Sequence, residues 1–190
     1  RGLGDVYKRQ VKYLGIAPIN KSTGKEVYET PIELKQFVSF SATKNYSETS
    51  WYSNDQTEET FNAIVDEDIE IVLGHLSGDL RAKLSGANYD SKGVMTEKSD
   101  DEQAEFGLIV VLSQLPTGTL NKAYYRVKLK VEATEGETKT DSINDSTVTL
   151  SGKAIPNSEG IICRTIDSTD ENADSTVVSK WTTAVYVPAE

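Results

Sequence analysis

Histidine and cysteine, the side chains that most often bind zinc, are scarce in the 190-residue chain. The chain contains one histidine, His75, and one cysteine, Cys163. A zinc site draws on several His and Cys ligands, so this set is too small for a zinc cluster or a histidine-rich site. His75 lies among apolar neighbours at the opening of a predicted helix, and Cys163 lies in a predicted strand. We therefore interpret His75 as a structural histidine and Cys163 as a half-buried strand residue.

Two short acidic clusters, Asp66-Glu67-Asp68 and Asp100-Asp101-Glu102, raise the question of calcium binding. A calcium-binding loop would show the Asp-x-Asp-x-Asp-Gly pattern followed by a distal glutamate, and this pattern is absent from the sequence. We expect the first cluster to form a solvated turn before a strand and the second to form a solvated turn as well.

The sequence also lacks the motifs of the common catalytic classes. It has no glycine-rich phosphate-binding loop and no Gly-x-Ser-x-Gly element. Paired carboxylates for glycoside hydrolysis remain possible because acidic residues are frequent, but no spacing singles out a pair. We therefore expect a protein that is not an enzyme and that has no catalytic, cofactor-binding or metal-binding residue.

Composition and charge limit the remaining classes of function. The sequence has no run of eighteen apolar residues, so we expect no membrane-spanning helix, and no segment resembles a signal peptide. The formal net charge of −10 disfavours a surface that binds nucleic acid through its phosphates. The length is that of one well-buried domain.

Residues 1–10, RGLGDVYKRQ, match the translation of a common transposase-based sequencing adapter. We expect this stretch to be an assembly artefact that replaces a missing native start, and we exclude it from the prediction of the fold. It carries three basic residues and one acidic residue, so its removal changes the net charge from −10 to −12. The remaining residues, 11–190, are predicted to form a single domain.

The stretch from Tyr124 to Pro156 is the clearest structural signal. Tyr125, Val127, Leu129, Val131 and Ala133 alternate with charged residues, and a shorter alternation returns at Val148 and Leu150. A period of two predicts two strands, each with one buried face. The linker between them, residues 134–146, is longer than a hairpin needs, and Ile143 is its one large apolar side chain. We expect this loop to reach another copy of the chain.

The other elements are predicted from the same kind of pattern. Leu76, Leu80 and Leu84 recur at four-residue spacing, which predicts a short helix over residues 74–86 with Ser77 as its N-cap and Gly86 as its C-terminal cap. Residues 106–115 are apolar on both faces, which predicts a central strand. Further strands are predicted at 11–19, 26–32, 36–43, 63–73, 160–166 and 181–187, whereas 175–180 fits either a helical turn or the start of the last strand.

The polar stretch from Asn45 to Phe61 carries embedded aromatic residues, among them Trp51 and Tyr52. One interpretation is a loop anchored by its rings; the other is a docking surface, because aromatic residues are enriched in interface cores. Taken together, the elements predict a mainly β fold: an antiparallel β-sandwich or barrel with one short flanking helix.

Four segments, taken in order, resemble the major tail protein of siphovirus-type bacteriophages, the subunit of the tail tube. They are the opening strand at 11–19; the pattern Trp51, Tyr52, Asp55 followed by a strand and a helix that ends at Leu84-Ser85-Gly86; the loop at 137–143; and the closing segment at 181–188. The resemblance extends from Val11 to Pro188 and implies the tail tube fold.

The resemblance implies a structural virion protein that forms six-membered rings, stacked into a tube that conducts DNA into the host without binding it specifically. The implied partners are copies of the same chain, the tape measure, the tail terminator and the baseplate or initiator complex. The implied location is the virion tail, after assembly in the bacterial cytoplasm. The candidate subunit-interface residues are Trp51, Tyr52, Lys139, Asp141, Ser142, Ile143 and Trp181.

Two alternatives stay open at the level of the sequence. The first is an acidic β-sandwich binding module of a cell-surface or secreted adhesin, which would recognise a ligand through exposed aromatic residues such as Trp51 and Tyr52. The second is a hydrolase on a β scaffold, which would show a concave pocket with perturbed carboxylates.

Overall fold

The computed structural model of the protein describes residues 10–20, 26–53, 56–114, 116–132 and 147–188, with side chains from 48 to 61 outside that description. Its strands are β1 (Val11–Asn20), β2 (Val27–Tyr28), β3 (Ile32–Glu33), β4 (Phe37–Ser53), β5 (Gln56–Leu73), β6 (Asn88–Tyr89), β7 (Met95–Thr96), β8 (Phe106–Ser113), β9 (Thr119–Val131), β10 (Val148–Ile155) and β11 (Cys163–Asp167). Its helices are α1 (Gly78–Ser85) and α2 (Ser175–Lys180).

Nine strands form one antiparallel sheet, and β6 and β7 form a separate small hairpin. The main path of the sheet runs β2-β1-β8-β9-β10-β5-β4, with β3 pairing with β1 and β11 pairing with β9. The mainly β, sandwich-like fold predicted from the sequence is confirmed. The hairpin predicted between Tyr124 and Pro156 is confirmed at its stem, where Val131 lies opposite Leu150. Its linker, residues 134–146, falls outside the described residues.

The centre of the sheet is covered on both faces, as the apolar pattern at 106–115 predicts. In β8, Phe106, Leu108 and Val110 belong to a large core cluster on one face, whereas Ile109 and Val111 belong to a smaller cluster on the other. The large cluster includes Leu76 and Leu84 from the region of α1, and the small one includes residues of the C-terminal segment. The helix and the C-terminal segment therefore cover opposite faces.

The predicted face of Tyr125 is wrong because β9 contains a β-bulge. The sequence alternation places Tyr125 on the same face as Val127 and Leu129. The register between β8 and β9 shifts between the pairs Phe106–Val127 and Leu108–Tyr124, which inserts one extra residue into β9. Because an extra residue reverses the alternation, Tyr125 packs in the small cluster, while Val127 and Leu129 pack in the large one.

Helix α1 begins and ends as its capping residues predict. The Ser77 hydroxyl accepts a hydrogen bond from the Leu80 backbone N–H at 3.4 Å, so Ser77 is the N-cap. Gly86 adopts a left-handed conformation at φ 75°, and a Cβ at this position would collide with the Glu102 backbone carbonyl. Only glycine satisfies both conditions, which fixes the end of the helix.

The strand predicted at Trp181–Val187 is wrong. Residues 175–180 form α2, capped by the Asp174 carboxylate, and the chain continues through turns. Trp181 and Val185 are both buried in the small cluster. Their spacing of four residues fits one face of a strand and also one face of a helical turn, so the alternation alone could not distinguish the two.

The loop predicted for Asn45–Phe61 is also wrong. This stretch belongs to β4 and β5, which are 17 and 18 residues long and pair along their whole length. Residues 45–61 carry no regular alternation of apolar and polar side chains, so no period-two pattern predicts strands here.

Candidate functional site

The paired strands β4 and β5 extend past the end of β10 as a two-stranded ribbon. We define this ribbon as residues 45–53 and 56–66. The pairing of β10 with β5 ends where Ala154 lies opposite Glu67. Within the described part of the chain, β5 before Glu67 pairs with β4 alone. At about 3.3 Å per residue, the eight steps from Asn45 to Ser53 give the ribbon a length of about 26 Å.

A second β-bulge sets which side chains the ribbon presents. The register passes from the pair Asn45–Asp66 to the pair Tyr46–Ile64, which leaves Val65 as an extra residue. Because the bulge reverses the alternation in β5, Ile64 and Tyr46 fall on the same face as the pair Lys44–Glu67. Tyr46 is 59% exposed and Ile64 is 43% exposed. The inner face of the sheet thus continues onto the base of the ribbon, where Tyr46 and Ile64 form an exposed apolar pair.

A polar cluster fixes the base of the ribbon to the sheet. The Asn45 side-chain amide donates to Asp66 at 2.6 Å and to Asp68 at 2.8 Å. The Lys153 ammonium, on β10, lies 3.1 Å from the Asp66 carboxylate and 3.3 Å from that of Asp68. The hydrogen bonds from Asn45, followed by those from Lys153, hold the pKa of both carboxyls below its ordinary value. The cluster joins three strands where the sheet ends.

The prediction of a solvated turn at residues 66–68 is wrong. These residues lie inside β5, and Glu67 is only 3% exposed. Its carboxylate accepts a hydrogen bond from the Tyr124 hydroxyl at 3.1 Å, which satisfies a buried charged group. Burial, followed by the neighbouring Cys163 and Glu67, raises the pKa of Tyr124 above its ordinary value. The second cluster is confirmed as a turn, in which Asp101 hydrogen-bonds back to Lys98.

A cleft of about 410 Å³ opens beside the base of the ribbon. We call it the acceptor cleft and define it by Lys44, Ile64, Glu67, Lys122, Ile161, Ile162 and Cys163, which line it together with Gly160 and Thr165. The Lys122 ammonium lies 3.4 Å from the Tyr124 hydroxyl. Cys163 is half-buried, as predicted, and burial raises the pKa of its thiol. The cleft combines an apolar wall with two lysines.

The basic residues on the polar face of β9 pair with acidic neighbours. The Arg126 guanidinium makes two hydrogen bonds to the Glu105 carboxylate, at 2.9 and 3.0 Å, and also lies 3.6 Å from Glu26. Lys128 lies 3.5 Å from Glu105, and Lys130 lies 3.4 Å from Glu132. Intramolecular pairing therefore offsets the positive charge of this strand.

The predicted interface residues fall into three groups. Trp51 and Tyr52 lie near the far end of the ribbon, where their backbones pair with Glu59 and Thr57, and their side chains are outside the description. Lys139, Asp141, Ser142 and Ile143 all fall outside the described residues.

Trp181, the remaining candidate, is 3% exposed. Its ring stacks on Tyr186 at 5.5 Å, and its indole N–H donates to the Lys122 carbonyl at 3.3 Å. These contacts place Trp181 in the core of its own chain and leave little of it for a neighbouring copy.

The residues considered for metal binding do not converge. In the part of the chain that the structure describes, no group of three or more His, Cys, Asp and Glu side chains is placed to hold a metal ion. His75 is exposed, in the segment that precedes α1. Among the same residues, no helix has the length and apolar character needed to span a membrane.

Ile64, Lys44 and Glu67 are the site residues that the sequence analysis missed, whereas Tyr46 lies in the stretch that it considered as a docking surface. The sequence nevertheless carried a signal for the burial of Glu67 and for the strands of the ribbon. In the segment Asp66-Glu67-Asp68-Ile69-Glu70-Ile71, Glu67 shares its alternation with Ile69 and Ile71, so its burial was predictable. The β-forming Thr, Tyr, Trp and Phe residues between Tyr46 and Phe61 also favoured strands. The bulge at Val65, which decides the position of Ile64, has no such signal.

Comparison with known proteins adds no family to these observations. No family model matches the chain, and neither does any curated protein sequence.

Proposed function

We propose that the protein is a tail tube subunit of a siphovirus-type bacteriophage, which assembles with copies of itself into stacked six-membered rings. The observation that carries the proposal is the ribbon. An isolated two-stranded hairpin is at best marginally stable in water. A ribbon about 26 Å long, which pairs with no third strand among the described residues and leaves Tyr46 and Ile64 exposed, gains stability when a second copy covers it.

Charge also supports the proposal. Residues 11–190 carry a net charge of −12, so six copies carry about −72 before neutralisation. Arg126, Lys128 and Lys130 of β9 are already paired with carboxylates within the chain. A channel with walls of this sign repels polyanionic DNA, which would pass without adhering. The assembled tube would end at a terminator and an initiator complex and would enclose a tape measure protein, in the tail of the virion.

Electron microscopy of residues 11–190, expressed from a start codon and negatively stained over a range of concentrations, tests the proposal. We expect rings or hollow tubes with a six-fold end view. The variant Ile64→Lys puts a charge on the uncovered face of the ribbon and should abolish the tubes. Val94→Lys is the matched control, because Val94 is an equally apolar residue, 56% exposed, that lies outside the ribbon.

Two results would contradict the proposal. Tubes that form equally well with Ile64→Lys would show that the ribbon takes no part in assembly. A chain that stays monomeric at every concentration, by light scattering, and that binds a glycan or protein ligand would favour the adhesin-type binding module.

A further inference from the structure

The acceptor cleft is a gap between two strand edges of one sheet. β10 and β11 follow each other along the same side of β9, and both are antiparallel to it. β5 continues past the end of β10 toward β11 but, among the described residues, does not pair with it. Ile64 of β5 and Cys163 of β11 line opposite sides of the gap. An extended segment that entered the gap would meet an unpaired strand edge on either side.

The chemistry of the cleft selects an acidic segment with an apolar side chain. Lys44 and Lys122 supply two positive charges against the one buried carboxylate of Glu67, which already accepts a hydrogen bond from Tyr124. Ile64 is exposed, and Ile161 and Ile162 are partly exposed, so the wall offers apolar area for burial.

Residues 134–146 of the same sequence have the complementary composition. They contain Glu135, Glu137, Asp141 and Asp145 against the single basic residue Lys139, a net charge of −4 + 1 = −3. Ile143 is the one large apolar residue among them. A segment of this kind can place one apolar side chain on the wall while its carboxylates face the two lysines.

Chain geometry excludes the loop of the same copy as the occupant. Ile143 is five residues before Val148, so it lies at most about 18 Å from it. Val148 pairs with Leu73, nine residues along β5 from Ile64 in the cleft, and nine residues of strand span about 30 Å. Val131 and Val148, which flank the loop, lie at the opposite end of the sheet from the cleft, so Ile143 can enter only the cleft of another copy.

We propose that the acceptor cleft of one copy binds residues 134–146 of a second copy, with Ile143 packed against Ile64 and the acidic residues near Lys44 and Lys122. This proposal rests on the self-assembly proposed above and specifies one of its contacts. Donor and acceptor surfaces differ and lie at opposite ends of the sheet, so the contact is head-to-tail and propagates from copy to copy.

The single natural cysteine gives a direct test. Cys163 lines the cleft, so the wild-type chain carries a thiol at the acceptor alone. The variant Ser142→Cys/Cys163→Ser carries a thiol only in the donor segment, beside Ile143. Both proteins are mixed in equal amounts, one with a mass tag, and treated with a bifunctional thiol cross-linker. We expect a cross-linked heterodimer in at least fivefold higher yield than with Ser99→Cys/Cys163→Ser, whose thiol lies on an exposed turn.

Two further measurements make the test specific. Lys44→Glu in the acceptor copy reverses one charge at an exposed position and should lower the cross-linking yield several-fold. A synthetic peptide of residues 134–146 should compete with the cross-link, whereas the same peptide with Ile143→Asp should not. Circular dichroism checks that each variant is folded.

The outcomes separate this proposal from the one it rests on. Heterodimer yield equal to the Ser99→Cys control, with tubes still visible in the wild-type protein, overturns the cleft as the acceptor and leaves the tube assignment standing. Specific cross-linking of a protein that never forms rings or tubes supports the contact and contradicts the tail tube.

Discussion

The centre of the sheet and the ribbon are built from the same kind of antiparallel pairing but differ in what surrounds it. Leu108 and Ile109 in β8 are fully buried on opposite faces, with strands on both sides. In the ribbon, each strand has one described neighbour, and Tyr46 and Ile64 are exposed. The free energy of folding therefore comes mainly from the sheet body, whereas the apolar pair Tyr46 and Ile64 at the base of the ribbon stays exposed.

Replacing one aromatic residue by alanine in each region should give the largest difference in the free energy of unfolding. Phe106→Ala removes a fully packed ring from the large cluster and should lower the free energy of unfolding by about 3–5 kcal/mol. Tyr46→Ala removes an exposed ring and should change it by less than about 0.5 kcal/mol. Urea denaturation of both variants measures the difference. Similar losses would show that the ribbon is part of the cooperative core.

The buried hydrogen bond between Tyr124 and Glu67 should give an intermediate effect. Tyr124→Phe keeps the ring but leaves the Glu67 carboxylate without its donor, which should lower the free energy of unfolding by about 1–3 kcal/mol. Tyr89→Phe, on the exposed β6–β7 hairpin, is the control and should be nearly neutral. A neutral Tyr124→Phe would indicate that water reaches Glu67 through the cleft.

The sequence predicted the sheet body better than the ribbon for a physical reason. Burial on one or both faces leaves a hydrophobic pattern, which identified β8, the β9–β10 hairpin and Leu84 of α1. The described side chains of the ribbon, at residues 45–47 and 62–66, are mostly exposed, so this part of the chain left no such pattern. Single-residue bulges such as the one at Val65 depend on cross-strand register, which a linear pattern does not contain.

Alkaline pH should lower the stability of the sheet body, because unfolding exposes buried tyrosines that then lose their protons. Burial raises the pKa of Tyr125 to about 12 and that of Tyr124 above its ordinary value. A pKa raised by folding means that the folded chain holds its proton longer, so stability is complete below about pH 10 and falls as the pH rises toward the folded pKa. The loss approaches about 1.4 kcal/mol per pH unit for each such tyrosine.

Denaturation series from pH 8 to 12 measure this slope. Tyr125→Phe should reduce the slope above pH 10, because it removes one of the titrating groups. An unchanged slope would contradict the contribution of Tyr125.

The smallest effect is expected at the base of the ribbon. Lys153→Ala removes the ammonium that joins Asp66 and Asp68 to β10, all of them at the surface, so global stability should barely change. Amide hydrogen exchange around residues 45–47 and 63–66 should nevertheless accelerate, because the ribbon is held there by few contacts. Lys98→Ala, on an exposed turn, is the control. Unchanged exchange in Lys153→Ala would mean that strand pairing alone orients the ribbon.

The bulge at Val65 also bears on how the single chain avoids aggregation. A long strand with an open edge is a template on which other chains add strands indiscriminately, the first step of aggregation. One extra residue interrupts the even spacing of backbone donors and acceptors along that edge, and Asp66 follows it with a charge. The insertion that sets the face of Ile64 thereby also limits the unspecific addition of strands from other chains.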